Sequence, residues 1–238
     1  MNGPGTLIII PAFNEAEHVG GVIDDVRRRL PGADVLVIDD GSADATAARA
    51  RAAGALVASL PVNLGYGAAL QTGYKFAVRG GYDRIGQIDA DGQHLAESLT
   101  TMFEALEAQD VDVVIGSRFL DGDGHYRPPM ARKLGIALFS RIATMITRQH
   151  ISDPTSGFQV MRVPVARFFC TNVYPSDYPD ADILILLNRS GFSVREVPVT
   201  MRPSPGQSMH GGHKSVYYAY KMFLSIFVTM LRPRASRS

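Results

Sequence analysis

Five short apolar runs punctuate the first half of the chain: TLIII (6–10), DVLVID (34–39), ALVAS (55–59), RIGQID (84–89) and VDVVIG (111–116). A stretch of helical length separates each run from the next. In the first of these, Val19, Val22, Ile23, Val26 and Leu30 fall on one helical face. The second opens with Ser42 as a predicted cap and closes at Gly54. Strands that are apolar throughout are buried on both faces. Strand–helix alternation of this kind predicts an α/β domain with a parallel sheet, helices on both faces and right-handed crossovers. The loops that follow the strands then share one edge, where such sheets bind ligands.

The second half is less regular. A loop at 121–129 precedes a helical pattern over 131–149, SGFQVMR and FSVREVPVTM read as further strands, and YPDADILILLNRSG reads as a helix. The segment 202–214 is rich in Gly, Pro and Ser, so it reads as a mobile loop. The 238 residues, 46% hydrophobic, suffice for one large α/β domain or two small ones. A single cysteine, Cys170, excludes an internal disulfide and fits a reducing compartment. The N-terminus has no basic region and only a short apolar run, which predicts neither a signal peptide nor a membrane span. A net charge of +1 argues against nucleic acid as a partner. The charge is divided, however: residues 1–117 hold 8 Lys/Arg and 16 Asp/Glu, net −8, and residues 118–238 hold 16 and 7, net +9.

Asp89 and Asp91 stand at the end of the fourth run, one residue apart. Residues i and i+2 of a strand point the same way, so both carboxylates can face one ligand. Two hard oxygen donors suit Mg²⁺ or Mn²⁺ completed by substrate phosphates. The alternative is a pair of exposed carboxylates at a strand end. A calcium loop is excluded, because Gly92 comes two residues early and Thr100 stands where the closing Glu belongs. PAFNEA (11–16) and DDGSAD (39–44) follow the first two strands and share the edge of Asp89. Pro11 and Asn14 fit a tight turn, Glu15 opens a helix, and Asp39 can accept hydrogen bonds from a base N–H or a ribose hydroxyl. GYGAAL (65–70) lacks the third glycine of a dinucleotide fingerprint and does not follow the first strand, which argues against a dehydrogenase.

Taken in order, PAFNEA, VIDDGSADAT, NLGYGAALQTG, DADGQH, GSRF, SGFQVMR and EVPVTMRP resemble the family 2 glycosyltransferases, in the subgroup of polyprenyl-phosphate (dolichyl-phosphate) mannose and glucose synthases. The resemblance spans about residues 5–210. It implies a GT-A fold, a Rossmann-like, mostly parallel sheet, and inverting transfer of a hexose from a UDP- or GDP-sugar to a lipid phosphate with a divalent metal. On this reading Pro11, Phe13, Asn14, Glu15, Asp39, Asn63, Gly65, Asp89, Ala90 and Ser208 hold the nucleotide-sugar, while Asp89, Asp91 and Gln93 form the metal site. Phe13 stands where the family often has tyrosine. Arg118, Arg132 and Arg202 sit where the family binds the acceptor phosphate, to which arginine is suited by its bidentate, permanent charge. A phosphate nucleophile needs no base. A hydroxyl acceptor would need one, and Asp182 is the candidate, with Asp180 second; the alternative for both is a helix N-terminal charge. With Asp91, these residues make up the expected catalytic set. A rival from another class is a non-catalytic nucleotide-sugar-binding partner of a membrane protein.

The segment GQSMHGGHK (206–214) departs from the family's pattern, with Met209 and His210 after Ser208 where a basic residue is usual. Ser208, His210 and His213 can donate to a diphosphate, whereas two histidines with no further Cys or His nearby argue against zinc. Residues 1–210 are therefore expected to form the glycosyltransferase domain, 1–117 its nucleotide-sugar half and 118–210 its acceptor half. Residues 211–238 are expected to carry a separate apolar helix. Its run 215–231 contains one charge, Lys221, and at ~1.5 Å per residue reaches only about 25 Å. Tyr217, Tyr218 and Tyr220 cluster at one end, and Arg232, Arg234 and Arg237 follow. The pattern predicts a helix lying on the inner, cytoplasmic face of a membrane. A helix buried in the protein's own core, a homo-oligomer interface and a membrane-protein partner are the alternatives.

Overall fold

The computed structural model describes residues 5–120, 130–172, 174–175, 180–202 and 213–231, the side chains of 131, 132 and 213–219 excepted. Seven strands form one sheet: β1 (Thr6–Ala12), β2 (Asp34–Asp39), β3 (Leu56–Ser59), β4 (Arg84–Gln87), β5 (Val113–Ser117), β6 (Gln159–Arg162) and β7 (Val194–Pro198). Their order is β3-β2-β1-β4-β6-β5-β7. The alternating residues of β1 explain its apolar run. Leu7 and Ile9 enter one buried layer, with Ala69, Leu70, Tyr74 and Ala77 of α3 (Tyr66–Gly80). Ile8 and Ile10 enter the other, with Val19, Val22, Ile23 and Val26 of α1 (Val19–Arg29) and Leu99, Met102 and Leu106 of α4 (Glu97–Ala108).

The sheet is mostly parallel, as the resemblance implies: β6 alone among the seven strands runs the other way, antiparallel to β4 and β5. The chain leaves β5 at the ligand edge, passes through α5 (Met130–Thr147), and re-enters at the same edge, where the Ser117 and Ser152 hydroxyls bond at 2.5 Å. A strand entered from that edge must run backwards. The second helix, α2, spans Thr46–Ala52 and is not capped by Ser42; residues 42–44 instead fasten the neighbouring loop, as described below.

Three further helices complete the fold. The first, α6 (Val163–Phe169), follows β6 directly and was not expected from the sequence. Next come α7 (Ala181–Arg189) and α8 (His213–Leu231). Phe139 of α5, Ala181 and Ile185 of α7, and Met222 and Ile226 of α8 form a small separate core. Beyond it, both α5 and α8 expose apolar stripes. Met130, Leu134, Leu138 and Met145 line one side of α5, and Tyr220, Phe223, Leu224, Phe227, Val228 and Leu231 line one side of α8. Among the described residues no helix is long and apolar enough to cross a membrane.

Candidate active site

The loops after β1 and β2 are stitched together by short side chains. Asn14 takes φ +56°, a left-handed turn that asparagine tolerates. Its N–H donates to Ser42 Oγ at 2.9 Å, and its Oδ1 accepts Ala43 N–H at 2.9 Å. Glu15 N–H donates to Thr46 Oγ1 at 2.8 Å, and Ala16 N–H to Asp44 Oδ2 at 3.2 Å. This leaves the Phe13 ring 46% exposed at the sheet edge, available to a planar base. Pro11 is buried in β1, and the Glu15 carboxylate pairs with His18 at 2.9 Å. Asp39 is buried and accepts Ser42 N–H at 3.1 Å.

Asp40, which sequence reasoning passed over, organises the next loop. Its two carboxylate oxygens accept Leu64 N–H at 2.8 Å and Gly65 N–H at 2.9 Å. Asn63 is exposed beside them. Gly41, at φ +72°, lets this loop approach closely, since a Cβ there would lie 2.6 Å from the Val62 carbonyl carbon. The doubled aspartate in DDGS was the available signal.

Asp89, Ala90, Asp91 and Gln93 follow β4 at the same edge, as their position in the sequence requires. Tyr66 Oη donates to Asp89 Oδ1 at 2.8 Å, and His94 Nε2 stands 3.4 Å from Asp89 Oδ2. Burial raises the Asp89 carboxyl, but His94, Tyr66 and the charge of Arg118 outweigh it and hold the group below its ordinary range. Asp91 is pushed the other way, by burial and then by the charge of Asp89. Asp91 accepts Gln93 N–H at 2.9 Å and the Gln93 side-chain amide. A cleft of about 500 Å³ opens alongside, lined by Asp91, Gln93, His94, Arg202 and the Glu17–Arg28 side of α1.

Two carboxylates placed two residues apart in one loop supply the hard oxygen donors that a divalent cation takes. No group of three His, Cys, Asp or Glu gathers among the described residues, so such an ion would need further oxygens from a substrate.

In the second half, Arg118 lies close enough to act on Asp89, yet its guanidinium is engaged by Asp153. Nε and Nη2 bond the two carboxylate oxygens at 2.6 and 2.7 Å, and Nη2 also reaches Thr155 Oγ1 at 2.8 Å. Glu196 in turn fixes that loop, accepting Ser152 N–H and Asp153 N–H at 2.8 Å each. Asp153 and Glu196 were not legible as partners, because each lies tens of residues from what it holds. Arg202 donates its N–H to Gln93 O at 2.8 Å, and its side chain lies 3.7 Å from Asp25. Asp182 is 4% exposed in the first turn of α7. It accepts Asp180 N–H at 3.1 Å and the Ser225 hydroxyl of α8. Burial raises its carboxyl, with Ser225 opposing. The Arg132 side chain, Ser208 and His210 lie outside the described residues, as does the His213 side chain.

A 3-2-1-4-6-5-7 sheet with its acidic loops gathered at one edge is the GT-A arrangement. Residues 7–169 match the family described as Glycosyl transferase family 2, and the chain belongs to that family. It is 31% identical, over 82% of its length and 76% of the relative's, to polyprenol monophosphomannose synthase of Mycolicibacterium smegmatis. It is also 31% identical, over 87% of its length and 88% of the relative's, to undecaprenyl-phosphate mannosyltransferase of Micrococcus luteus. The fold matches glucosyl-3-phosphoglycerate synthase of Mycobacterium tuberculosis, solved with Mn²⁺ and UDP-glucose, with a TM-score of 0.70 at 20% identity, covering 97% of this chain and 80% of that one.

Proposed function

We propose that this glycosyltransferase is metal-dependent and inverting, and moves a hexose from a UDP- or GDP-sugar to a polyprenyl-phosphate-type lipid. The observation that carries the reading is the pair Asp89 and Asp91 in the loop that follows β4, beside the loops that Asn14, Asp39 and Asp40 hold in place. Phe13 stacks on the base, and Asp39 and Glu15 lie where the nucleoside can be bonded. Asp89, Asp91 and Gln93 would hold Mg²⁺ or Mn²⁺ against the donor diphosphate. When bound, the ion neutralises the departing nucleoside diphosphate.

Arg202, in the cleft with Asp91, draws in the acceptor phosphate, and Arg132 and Ser208 are assigned to the same anionic substrates. Arg118 acts at one remove: paired with Asp153, it places positive charge beside Asp89. The phosphate attacks the anomeric carbon from the face opposite the leaving group. Asp182 supports the phosphate reading over a hydroxyl acceptor, since its carboxyl is already bonded by Ser225 and Asp180 N–H. A base must instead be in reach of the proton it takes.

The two halves are assigned accordingly: residues 1–117 to the donor and 118–210 to the acceptor. The apolar stripes of α5 and α8 support a peripheral position on the inner face of a membrane, where the lipid acceptor resides. The test is donor turnover with UDP- and GDP-hexoses and Mn²⁺ or Mg²⁺, with and without polyprenyl phosphate. The reading expects turnover that requires the lipid phosphate and stops in EDTA. Turnover indifferent to both contradicts it.

A further inference from the structure

The Asp89 carboxylate is aimed by a hydrogen-bond chain that starts deep in the core. Tyr74, fully buried in α3, donates its hydroxyl to Gln87 Oε1 at 2.6 Å. That bond fixes which end of the Gln87 amide is oxygen, so its NH₂ faces Gly157 O at 2.6 Å and Tyr66 Oη at 3.2 Å. The Tyr66 hydroxyl has one proton. With a lone pair engaged by Gln87, that proton goes to Asp89 Oδ1, 2.8 Å away. The other carboxylate oxygen faces His94, whose ring is packed 4.6 Å from the centre of Phe158. Both sides of the Asp89 carboxylate are thus held by side chains that are themselves held.

Gly157 belongs to the same device. It is not among the residues with positive φ, so its backbone does not demand glycine. A Cβ there would lie 2.6 Å from Tyr66 Oη. The space taken by that hydroxyl is what excludes a side chain at Gly157.

We propose that Tyr66 is a positioning residue: its hydroxyl, aimed by Tyr74 and Gln87, locks the Asp89 carboxylate in the orientation that receives the divalent ion, and Gly157 is glycine to leave room for it. The proposal rests on the metal reading above and names the residues that prepare that site. It ties three separate sequence motifs, NLGYG, GQIDAD and TSGF, to one carboxylate.

The test is Mn²⁺ binding to the full-length protein with UDP or GDP present, read from the electron paramagnetic resonance of free Mn²⁺. Tyr66→Phe keeps the ring and removes the hydroxyl. The proposal expects Mn²⁺ binding about tenfold weaker, the loss of one charge-assisted hydrogen bond, at a nearly unchanged melting temperature. In turnover, the metal midpoint should rise by a similar factor while kcat at saturating Mn²⁺ falls less. Gly157→Ala should weaken Mn²⁺ binding too. The double variant should be no weaker than the worse single one, because the clashing hydroxyl is gone. Wild-type Mn²⁺ affinity in Tyr66→Phe, or single effects that multiply in the double variant, would overturn the proposal. Asp91→Asn is the control. If it loses Mn²⁺ while Tyr66→Phe does not, the metal reading stands and the role given to Tyr66 falls. If Asp91→Asn also binds like the wild type, the metal reading falls and takes this proposal with it.

Discussion

Along the ligand edge, residues 13–65 are fastened by many short bonds between small polar side chains and backbone N–H groups. Residues 117–196 are fastened by a few long-range charges: Arg118 on Asp153, and Glu196 on the loop that carries Asp153. The first arrangement spreads its stability over several bonds of roughly 1 kcal/mol each. The second concentrates it in a buried pair that fails if either partner is lost. The proposed donor half is accordingly expected to tolerate single losses in its scaffold, and the proposed acceptor half is not.

The position without a substitute in the donor half is Asp91. Asp91→Asn should lower transfer by about 10³-fold or more, since a leaving-group ligand contributes several kcal/mol to the barrier. Its circular dichroism should match the parent. Full turnover of this variant would break the comparison at its strongest point. In the acceptor half, Asp153→Ala leaves Arg118 buried without its carboxylate and should cost about 3–5 kcal/mol in chemical denaturation. A loss below about 1 kcal/mol would mean that the pair is not the fastening it resembles.

Asp40→Ala sharpens the contrast. It strands two N–H groups of the β3–α3 loop and should cost about 1–3 kcal/mol, with a raised donor KM and a smaller change in kcat. Asp182→Asn should change the transfer rate by less than about tenfold if a phosphate is the nucleophile, against roughly 10²–10⁴-fold for a lost general base. Its effect on stability has a definite sign. The folded carboxyl is raised by burial, so the folded state binds the proton more tightly than the unfolded chain does. Stability is lost as pH rises from the unfolded value through the folded one. Asp182→Asn should therefore melt higher than the parent at pH 7, and the gap should close in acid below the ordinary carboxylate range. The smallest change in stability, within about 0.5 kcal/mol, is expected for Phe227→Asp, whose side chain is 61% exposed. Its flotation with anionic liposomes should nonetheless fall sharply.

The comparison also accounts for what could be read in advance. The first five strands were legible from their apolar runs, buried in β1, β2, β4 and β5 and only half-buried in the edge strand β3, and Asp39, Asp89 and Asp91 because they close or follow strands. Asp40 was hidden by its neighbour. Tyr66 read as part of a glycine-rich turn, and nothing local to Gln87 or Gly157 announces the chain that joins them. The direction of β6 was not legible either, because it depends on where the chain re-enters the sheet after α5. Arg118 stood out by its place in GSRF, but the partner that holds it, Asp153, lies 35 residues away. Short-range chemistry was readable, and the long-range pairs that aim it were not.

The central claim is that the two halves hold different substrates, and it is tested most directly by measuring both binding steps on two variants. Titrate nucleoside diphosphate with Mn²⁺, and separately polyprenyl phosphate in vesicles, against Asp91→Asn and Arg202→Ala. The account predicts that Asp91→Asn loses the nucleotide and keeps the lipid phosphate, while Arg202→Ala keeps the nucleotide and loses the lipid phosphate. If Arg202→Ala binds polyprenyl phosphate as the parent does, or if Asp91→Asn keeps its nucleotide in Mn²⁺, the division is wrong.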